Sequence, residues 1–210
     1  MLGSCLLSLR VASVAVIFAA ILGIPAGYAL GTRQYRGKRL TLTLLTSFMA
    51  FPSVLVGLLV YMLLSHSGPL GALELLYTPT AIILGDFVLA FPVICALSAM
   101  FLGQADPRIR KTALGLGASR ARAALLVMAE KRYALLGVVL VAFARAVTEV
   151  GSAMIVGGNI AYQTRTMTTA ITLETSGGNL SLALALGIIL VVVVFFANLF
   201  FWFLSHVRSG

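Results

Sequence analysis

Residues 80–120 read TAIILGDFVLAFPVICALSAMFLGQADPRIRKTALGLGASR, an apolar run that leads directly into a short basic segment rich in small residues. A helix needs about 20 apolar residues to cross a hydrocarbon layer about 30 Å thick, because each residue adds about 1.5 Å. The apolar run has that length. The whole chain is 60% hydrophobic and only 10% charged, with a mean hydropathy of +1.07. These values predict an all-α, polytopic integral membrane protein.

Apolar segments of similar length occur on both sides of this run, so the sequence predicts five transmembrane helices in one domain that covers residues 1–210. The predicted spans are 6–30, 41–64, 80–103, 133–150 and 180–204. A cytoplasmic loop, 104–132, and an external loop, 151–179, are predicted between the last three spans.

The basic residues are distributed unevenly between the two sides of the predicted spans. Four lie between spans one and two, seven between spans three and four, and Arg208 follows the last span. The connections on the other side, 65–79 and 151–179, contain only Arg165. Because loops rich in Lys and Arg stay in the cytoplasm, the N-terminus is predicted outside and the C-terminus inside. The net charge of +9 is therefore explained by topology, and no nucleic-acid partner is predicted.

The polar segment after span three carries the signals of two short helices. Asp106 and Pro107 supply a helix cap and a favourable first residue. Gly117 is placed to end this helix, because glycine accepts the left-handed conformation of a helix stop. Ser119 can then cap a second helix that runs through Ala129. We call residues 106–129 the elbow, and its small side chains predict a surface that another protein can approach closely.

The elbow is similar to the coupling loop of binding-protein-dependent ABC transporter permeases. The pattern in that family is Glu-Ala-Ala, three residues, Gly, nine residues and Ile-x-Leu-Pro. With Gly117 aligned, the matching positions carry Lys111, Thr112, Ala113, Gly117 and Val127, with Ala118 and Ser119 following the glycine. The acidic residue and the proline of the family are missing, and an ordinary basic loop that only obeys topology is the alternative.

Four longer stretches resemble the tungstate-type permeases in the molybdate and tungstate branch of that family. They are 52–71, 75–92, 145–160 and 164–190. The resemblance implies a type I ABC importer permease that works as a homodimer in the cell membrane, a multi-pass subunit with no catalytic residues. It also implies two cytoplasmic ATPase subunits, which bind ATP and Mg²⁺, and an extracytoplasmic binding protein that delivers the oxyanion. No cofactor or metal is expected in this chain.

A charge inside a span costs several kcal/mol unless it is paired or hydrated, so Asp86, Arg145 and Glu149 need an explanation. Asp86 and Arg145 both lie about 8 to 9 Å below the outer surface at about 1.5 Å per residue. An ion pair between them is predicted, as is one between Arg145 and Glu149, one helical turn later. The alternative is that Asp86, Arg145 and Glu149 line the translocation path.

The predicted external loop contains donors suited to a tetrahedral oxyanion. They are Arg165, Thr168 and Thr169, together with Thr164 and Thr166. These residues predict an outer gate. The alternative is a polar surface on which the binding protein rests.

Small residues recur at every fourth position of span one: Ala15, Ala19, Gly23, Gly27 and Gly31. This spacing predicts a seam for close helix packing and argues against a ligand site, since packing rather than hydrophobicity drives helix association in lipid. Pro52 and Pro92 are predicted to kink their spans.

Two other functions remain as alternatives. An ion-gradient-driven secondary transporter would need an internal repeat or a chain of intramembrane acids, and only Asp86 and Glu149 are available. An intramembrane enzyme would need a metal motif, an activated nucleophile or a phosphate-binding loop, and the sequence has none of these patterns.

Overall fold

A computed structural model describes residues 2–206, with side chains described for residues 3–199; Arg208 lies outside these ranges. All regular structure in residues 2–206 is helical, and a 3-10 turn, Gly71–Leu73, joins α3 to α4. The α-helices are α1 (Leu2–Thr32), α2 (Lys38–Phe48), α3 (Ser53–Leu64), α4 (Pro79–Gly103), α5 (Pro107–Gly115), α6 (Arg120–Glu130), α7 (Arg132–Val147), α8 (Gly151–Gly157), α9 (Met167–Ser176) and α10 (Leu180–His206).

Three of these helices, α1, α4 and α10, are each long and apolar enough to cross a membrane. The second predicted span, 41–64, is a bent pair in which α2 meets α3 at 92°. The fourth, 133–150, corresponds to α7, which is long enough to cross a membrane only together with α8, at 58° to it and inside the predicted external loop. The prediction of five spans therefore holds only if each bent pair counts as one. The first break falls at Pro52, which directly precedes α3. Proline lacks an N–H and disfavours helical geometry in the residue before it, which explains the break.

The small residues of α1 form the predicted packing seam against α4. Ala15 and Ala19 are fully buried. A Cβ placed on Gly27 would lie 2.6 Å from the Ser98 Cβ and 2.7 Å from the Cys95 carbonyl oxygen. The two backbones are thus in contact, and no side chain larger than hydrogen fits between them. The seam that the sequence predicted is confirmed.

Replacing Gly27 by valine is expected to remove most of the folded protein, because α1 and α4 would have to separate. The measurement is the yield of monodisperse protein in detergent by size-exclusion chromatography. Gly137→Val is the matched control, since a Cβ on Gly137 meets no atom within 4 Å. Equal yields of the two variants would show that the close contact does not hold the bundle together.

At the predicted outer end of the bundle, α8 packs between α3 and α4. Ser152 of α8 is fully buried, and Gly57 and Gly85 leave room for it: a Cβ on Gly57 would lie 2.7 Å from the Ser152 Cα. The Tyr77 N–H, just before α4, donates to the Val156 carbonyl oxygen at 2.9 Å. The end of α8 therefore lies beside the start of α4, at the predicted outer end of the bundle.

After α8 the chain turns back into the bundle. The Met167 N–H donates to Ser8 Oγ at 2.8 Å, and Thr168 Oγ1 donates to the Glu149 carbonyl oxygen at 2.7 Å. The chain then returns outward as α9 and enters α10. We call residues 159–176 the re-entrant segment. The stretch 151–179, predicted as an external loop, thus contains two short helices and is hydrogen-bonded to Ser8 and Glu149, and its position outside the membrane stays a prediction.

Candidate coupling and permeation sites

The elbow has the two-helix geometry that its sequence predicts. The Asp106 carboxylate accepts from the Arg108 N–H at 2.8 Å, and Pro107 occupies the first position of α5. Gly117 has φ +83°, and the Ala118 N–H donates to the Ala113 carbonyl oxygen at 3.0 Å. This is the glycine-dependent helix stop known as a Schellman motif.

The second helix of the elbow begins where the sequence placed it. Ser119 Oγ accepts from the Arg122 N–H at 3.3 Å, and α6 follows directly and ends at Glu130. Both helices therefore start with a side-chain cap, and the corner between them is closed by backbone hydrogen bonds. This construction makes the elbow a stiff element, because few backbone groups are left free to rearrange.

The buried face of the elbow packs against the membrane helices. Ala113, Ala123 and Val127 are buried. Val127 packs with Leu102 of α4 and Leu135 of α7. Val127 was predicted as part of the coupling loop, and the structure places it as an anchor rather than as an exposed contact. Any force on the elbow thus acts on α4 and α7.

The exposed face of the elbow has an apolar tip. Leu116, at the corner between α5 and α6, is 83% exposed. An added Cβ on Gly115 or Gly117 would meet no atom within 4 Å, so the corner stands clear of the rest of the chain. Lys111, Thr112 and Ser119 are exposed on the same element, and Ala118 is half-buried. An apolar side chain this exposed, at a corner free of other contacts, is available to another protein, and Leu116 was not among the coupling residues that the sequence predicted.

Asp86, Arg145 and Glu149 lie together around one narrow cavity between α4 and α7, which is too small to admit a water molecule in this conformation. Asp86 is only 3% exposed, and its Oδ1 has no hydrogen-bond partner. The Nε of Arg145 is likewise buried and without a partner. The predicted clustering is therefore observed, with two buried polar atoms left unsatisfied.

The predicted ion pairs within this cluster are not formed. Among residues 3–199, the one salt bridge joins Lys131 to Glu130 at 3.0 Å. The prediction of a pair between Arg145 and Glu149 assumed a continuous helix, but α7 ends at Val147. The Glu149 carboxylate instead accepts from the Ser152 N–H at 3.2 Å, in the first turn of α8. The break in span four thus directs Glu149 away from the pairing that its sequence position suggested.

The threonines of the predicted gate hold the re-entrant segment in place. Thr166 and Thr169 cap α9 reciprocally, and Thr168 bonds to the Glu149 carbonyl oxygen. Thr164 Oγ1 donates to the Gly157 carbonyl oxygen. Arg165 donates to the side chain and backbone of Asn159 at 3.2 and 3.3 Å. In this conformation the donors that predict a gate are used to build the segment itself, and a role in gating stays a prediction.

Within the described residues, no group of three His, Cys, Asp or Glu side chains is arranged to hold a metal ion. The polar features are a capped two-helix elbow, a buried charged cluster and a hydrogen-bonded re-entrant segment. Together with the apolar helices, they define a multi-pass membrane protein.

Comparison with known proteins identifies the family. The chain is 43% identical over 196 residues to a probable anion ABC transporter permease protein of Haloferax volcanii, which covers 91% of this chain and 84% of that protein. It is 41% identical over 192 residues to the tungstate uptake system permease protein TupB of Peptoclostridium acidaminophilum, with the same coverage of 91% and 84%.

A more distant relative is the molybdenum transport system permease protein ModB of Escherichia coli, 29% identical over 184 residues, which are 82% of this chain and 80% of that protein. No protein-family model matches the chain. The chain belongs to the ABC transporter permease family, in the branch of the tungstate and molybdate permeases. It is accordingly a multi-pass protein of the cell membrane, and the predicted resemblance is confirmed.

Proposed function

We propose that this chain is the permease subunit of an ATP-driven importer whose cargo is tungstate. Support for tungstate comes from two tungstate uptake permeases, 41% and 40% identical to this chain, whereas the molybdenum permeases are 30% identical or less. The observation that most supports a transport role is the structure of the elbow, a capped two-helix element with an exposed leucine tip that packs on two membrane helices.

The proposed assembly contains two copies of this chain, two cytoplasmic ATPase subunits and an extracytoplasmic binding protein. ATP and Mg²⁺ bind to the ATPase subunits, and this chain performs no hydrolysis. An apolar tip such as Leu116 fits a groove on each ATPase, because burying a large apolar side chain stabilises a contact by about 1.5 to 3 kcal/mol.

The packing of the elbow gives a mechanical route from the ATPase to the bundle. When the ATPase dimer closes on ATP, the elbow moves as one body. Through Val127 that motion acts on Leu102 in α4 and Leu135 in α7. The same two helices carry Asp86 and Arg145 towards their outer ends. The breaks at Pro52 and after Val147 allow the outer parts of spans two and four to turn separately.

The charged cluster is suited to passing an anion without holding it. A free arginine in a low-dielectric site would bind a divalent oxyanion tightly. Arg145 shares its cavity with the carboxyl groups of Asp86 and Glu149, which weaken that attraction. Because neither carboxyl forms a salt bridge with Arg145 in this conformation, the guanidinium keeps donors for a passing anion.

Replacing Arg145 by glutamine is expected to lower uptake at least about tenfold while the protein level stays within about twofold of wild type. The reason is that glutamine removes the charge that attracts the anion and keeps hydrogen-bonding capacity. Uptake of labelled tungstate and the amount of membrane-inserted protein are measured together. Arg36→Gln, an exposed site outside the elbow with an equal charge change, controls for net charge. A matched fall in uptake and protein level would assign Arg145 to structure alone.

The cargo itself is tested by competition. Vesicles that contain the complete assembly take up labelled tungstate, and unlabelled tungstate, molybdate or sulfate is added in excess. Tungstate is expected to compete at the lowest concentration, molybdate at a higher one, and sulfate weakly. Equal or better competition by molybdate would replace tungstate as the cargo and leave the elbow mechanism intact.

A further inference from the structure

Arg10 is a charged residue inside the first span for which the sequence analysis found no role. It lies four residues beyond the predicted start of that span, about 6 Å below the surface at about 1.5 Å per residue. Its side chain is exposed, and it takes no part in the one salt bridge found in residues 3–199. A long basic side chain near the end of a span reaches the membrane surface. Arg10 can therefore meet an anion at the level of the lipid headgroups.

Arg10 lines a cavity of about 450 Å³ between the first turns of α1, the re-entrant segment and α10. One part of its wall is apolar and consists of Leu6, Leu7, Ala170, Leu182 and Leu186. The charged part consists of Arg10, Arg165 and Glu174. The volume is within the range of small-molecule sites, and the mixture of leucines and arginines suits an amphiphile.

The charged residues of the cavity are positioned by their own hydrogen bonds. Arg165 donates from Nε to Asn159 Oδ1 at 3.2 Å and from Nη2 to the Asn159 carbonyl oxygen at 3.3 Å. The other N–H groups of its guanidinium are left free. The Glu174 carboxylate accepts from Asn179 Nδ2 at 2.9 Å. Two arginines and one carboxylate give the cavity a formal charge of +1, which complements a ligand with one negative charge.

We infer that this cavity binds a phospholipid of net charge −1 from the leaflet at the N-terminal end of α1. The phosphate lies between Arg10 and Arg165, and the first part of an acyl chain packs on Leu6, Leu182 and Leu186. Arginine pairs well with phosphate oxygens because its donors are fixed in a plane. A free dianionic oxyanion fits less well, since it would leave the leucines uncovered and carries two negative charges against the single positive charge of the cavity. This inference does not depend on which solute the protein transports.

The test measures binding of phosphatidylglycerol and phosphatidylcholine to the purified protein in detergent, by native mass spectrometry and by the shift in thermal unfolding. One phosphatidylglycerol per chain is expected, bound at least about tenfold more tightly than phosphatidylcholine. The double variant R10Q/R165Q is expected to lose about tenfold or more in phosphatidylglycerol affinity, since each basic residue near a membrane surface contributes a several-fold factor. R120Q/R122Q, two exposed arginines of the elbow, is the charge-matched control and is expected to bind like wild type.

A second variant tests the apolar wall with both arginines in place. Ala170→Phe fills the cavity and is expected to abolish the bound lipid, and its thermal unfolding without lipid shows whether the bundle is intact. Unchanged phosphatidylglycerol binding by R10Q/R165Q would overturn the inference. Displacement of the lipid by millimolar tungstate or inorganic phosphate would show an anion site instead. A disulfide between two copies of a Leu6→Cys variant would show that a second copy covers the cavity.

Discussion

Replacing Gly117 by valine is expected to reduce tungstate uptake at least about tenfold while the protein still inserts and folds. Gly117 has φ +83° at the stop of α5, a conformation that a β-branched residue adopts only at a cost. A Cβ at this position meets no atom within 4 Å, so the substitution causes no clash with the bundle. Its effect is confined to the corner: the helix stop is lost, and Leu116 moves from its place.

The measurement compares uptake, ATP hydrolysis and protein level in the complete assembly. Gly115→Ala is the matched control, because Gly115 is helical and an added Cβ there also meets no atom within 4 Å. Alanine stabilises a helix relative to glycine by about 1 kcal/mol, so this variant is expected to transport normally. Normal uptake by Gly117→Val at normal protein level would remove the corner from the coupling mechanism.

Replacing Leu116 by aspartate is expected to prevent the ATPase subunits from co-purifying with this chain. Because Leu116 is 83% exposed, the change costs the isolated chain little stability. In the assembly it would bury an unpaired charge in an apolar contact, which costs several kcal/mol and weakens binding at least about a hundredfold. The fraction of ATPase retained on the tagged permease after washing is the measurement.

Two controls separate docking from general surface effects. Leu116→Met keeps an apolar tip and is expected to retain the ATPase. Leu73→Asp changes an exposed leucine in the turn between α3 and α4, on the side opposite the elbow, and is also expected to retain it. If Leu116→Asp retained the ATPase as wild type does, the tip would not be the docking contact.

The elbow could be predicted from the sequence because its signals are local. A cap at Asp106, a stop at Gly117 and a second cap at Ser119 each act within a few residues, and the structure confirms all three. The seam on α1 could be predicted equally well, since small side chains at every fourth position allow a second helix to pack closely in a membrane.

The charged cluster could be predicted only in part, because its geometry depends on long-range packing. The number of residues from each span end predicted a similar depth for Asp86 and Arg145, and the two residues do line one cavity. The break after Val147 was not visible in the sequence, since no proline marks it. That break removes Glu149 from the helix of Arg145 and gives its carboxylate a backbone partner in α8.

The re-entrant segment and the exposed position of Leu116 were not predicted from the sequence, for different reasons. Residues 151–179 are rich in Gly and Thr, which is typical of a loop, and only tertiary contacts such as Met167 to Ser8 show that the chain turns back. Leu116 is one leucine among many in an apolar chain. Its isolation between two glycines in a basic segment was the signal that could have identified it.

In the proposed mechanism, the elbow transmits the motion of an ATPase to the membrane helices, so that this chain does not transport by itself. The most direct test measures accumulation of labelled tungstate in vesicles that contain this chain alone, and in vesicles that also contain the ATPase, the binding protein and ATP. Accumulation is expected only in the complete system, and it is expected to disappear when ATP is omitted. Accumulation by this chain alone, driven by an ion gradient, would contradict the account.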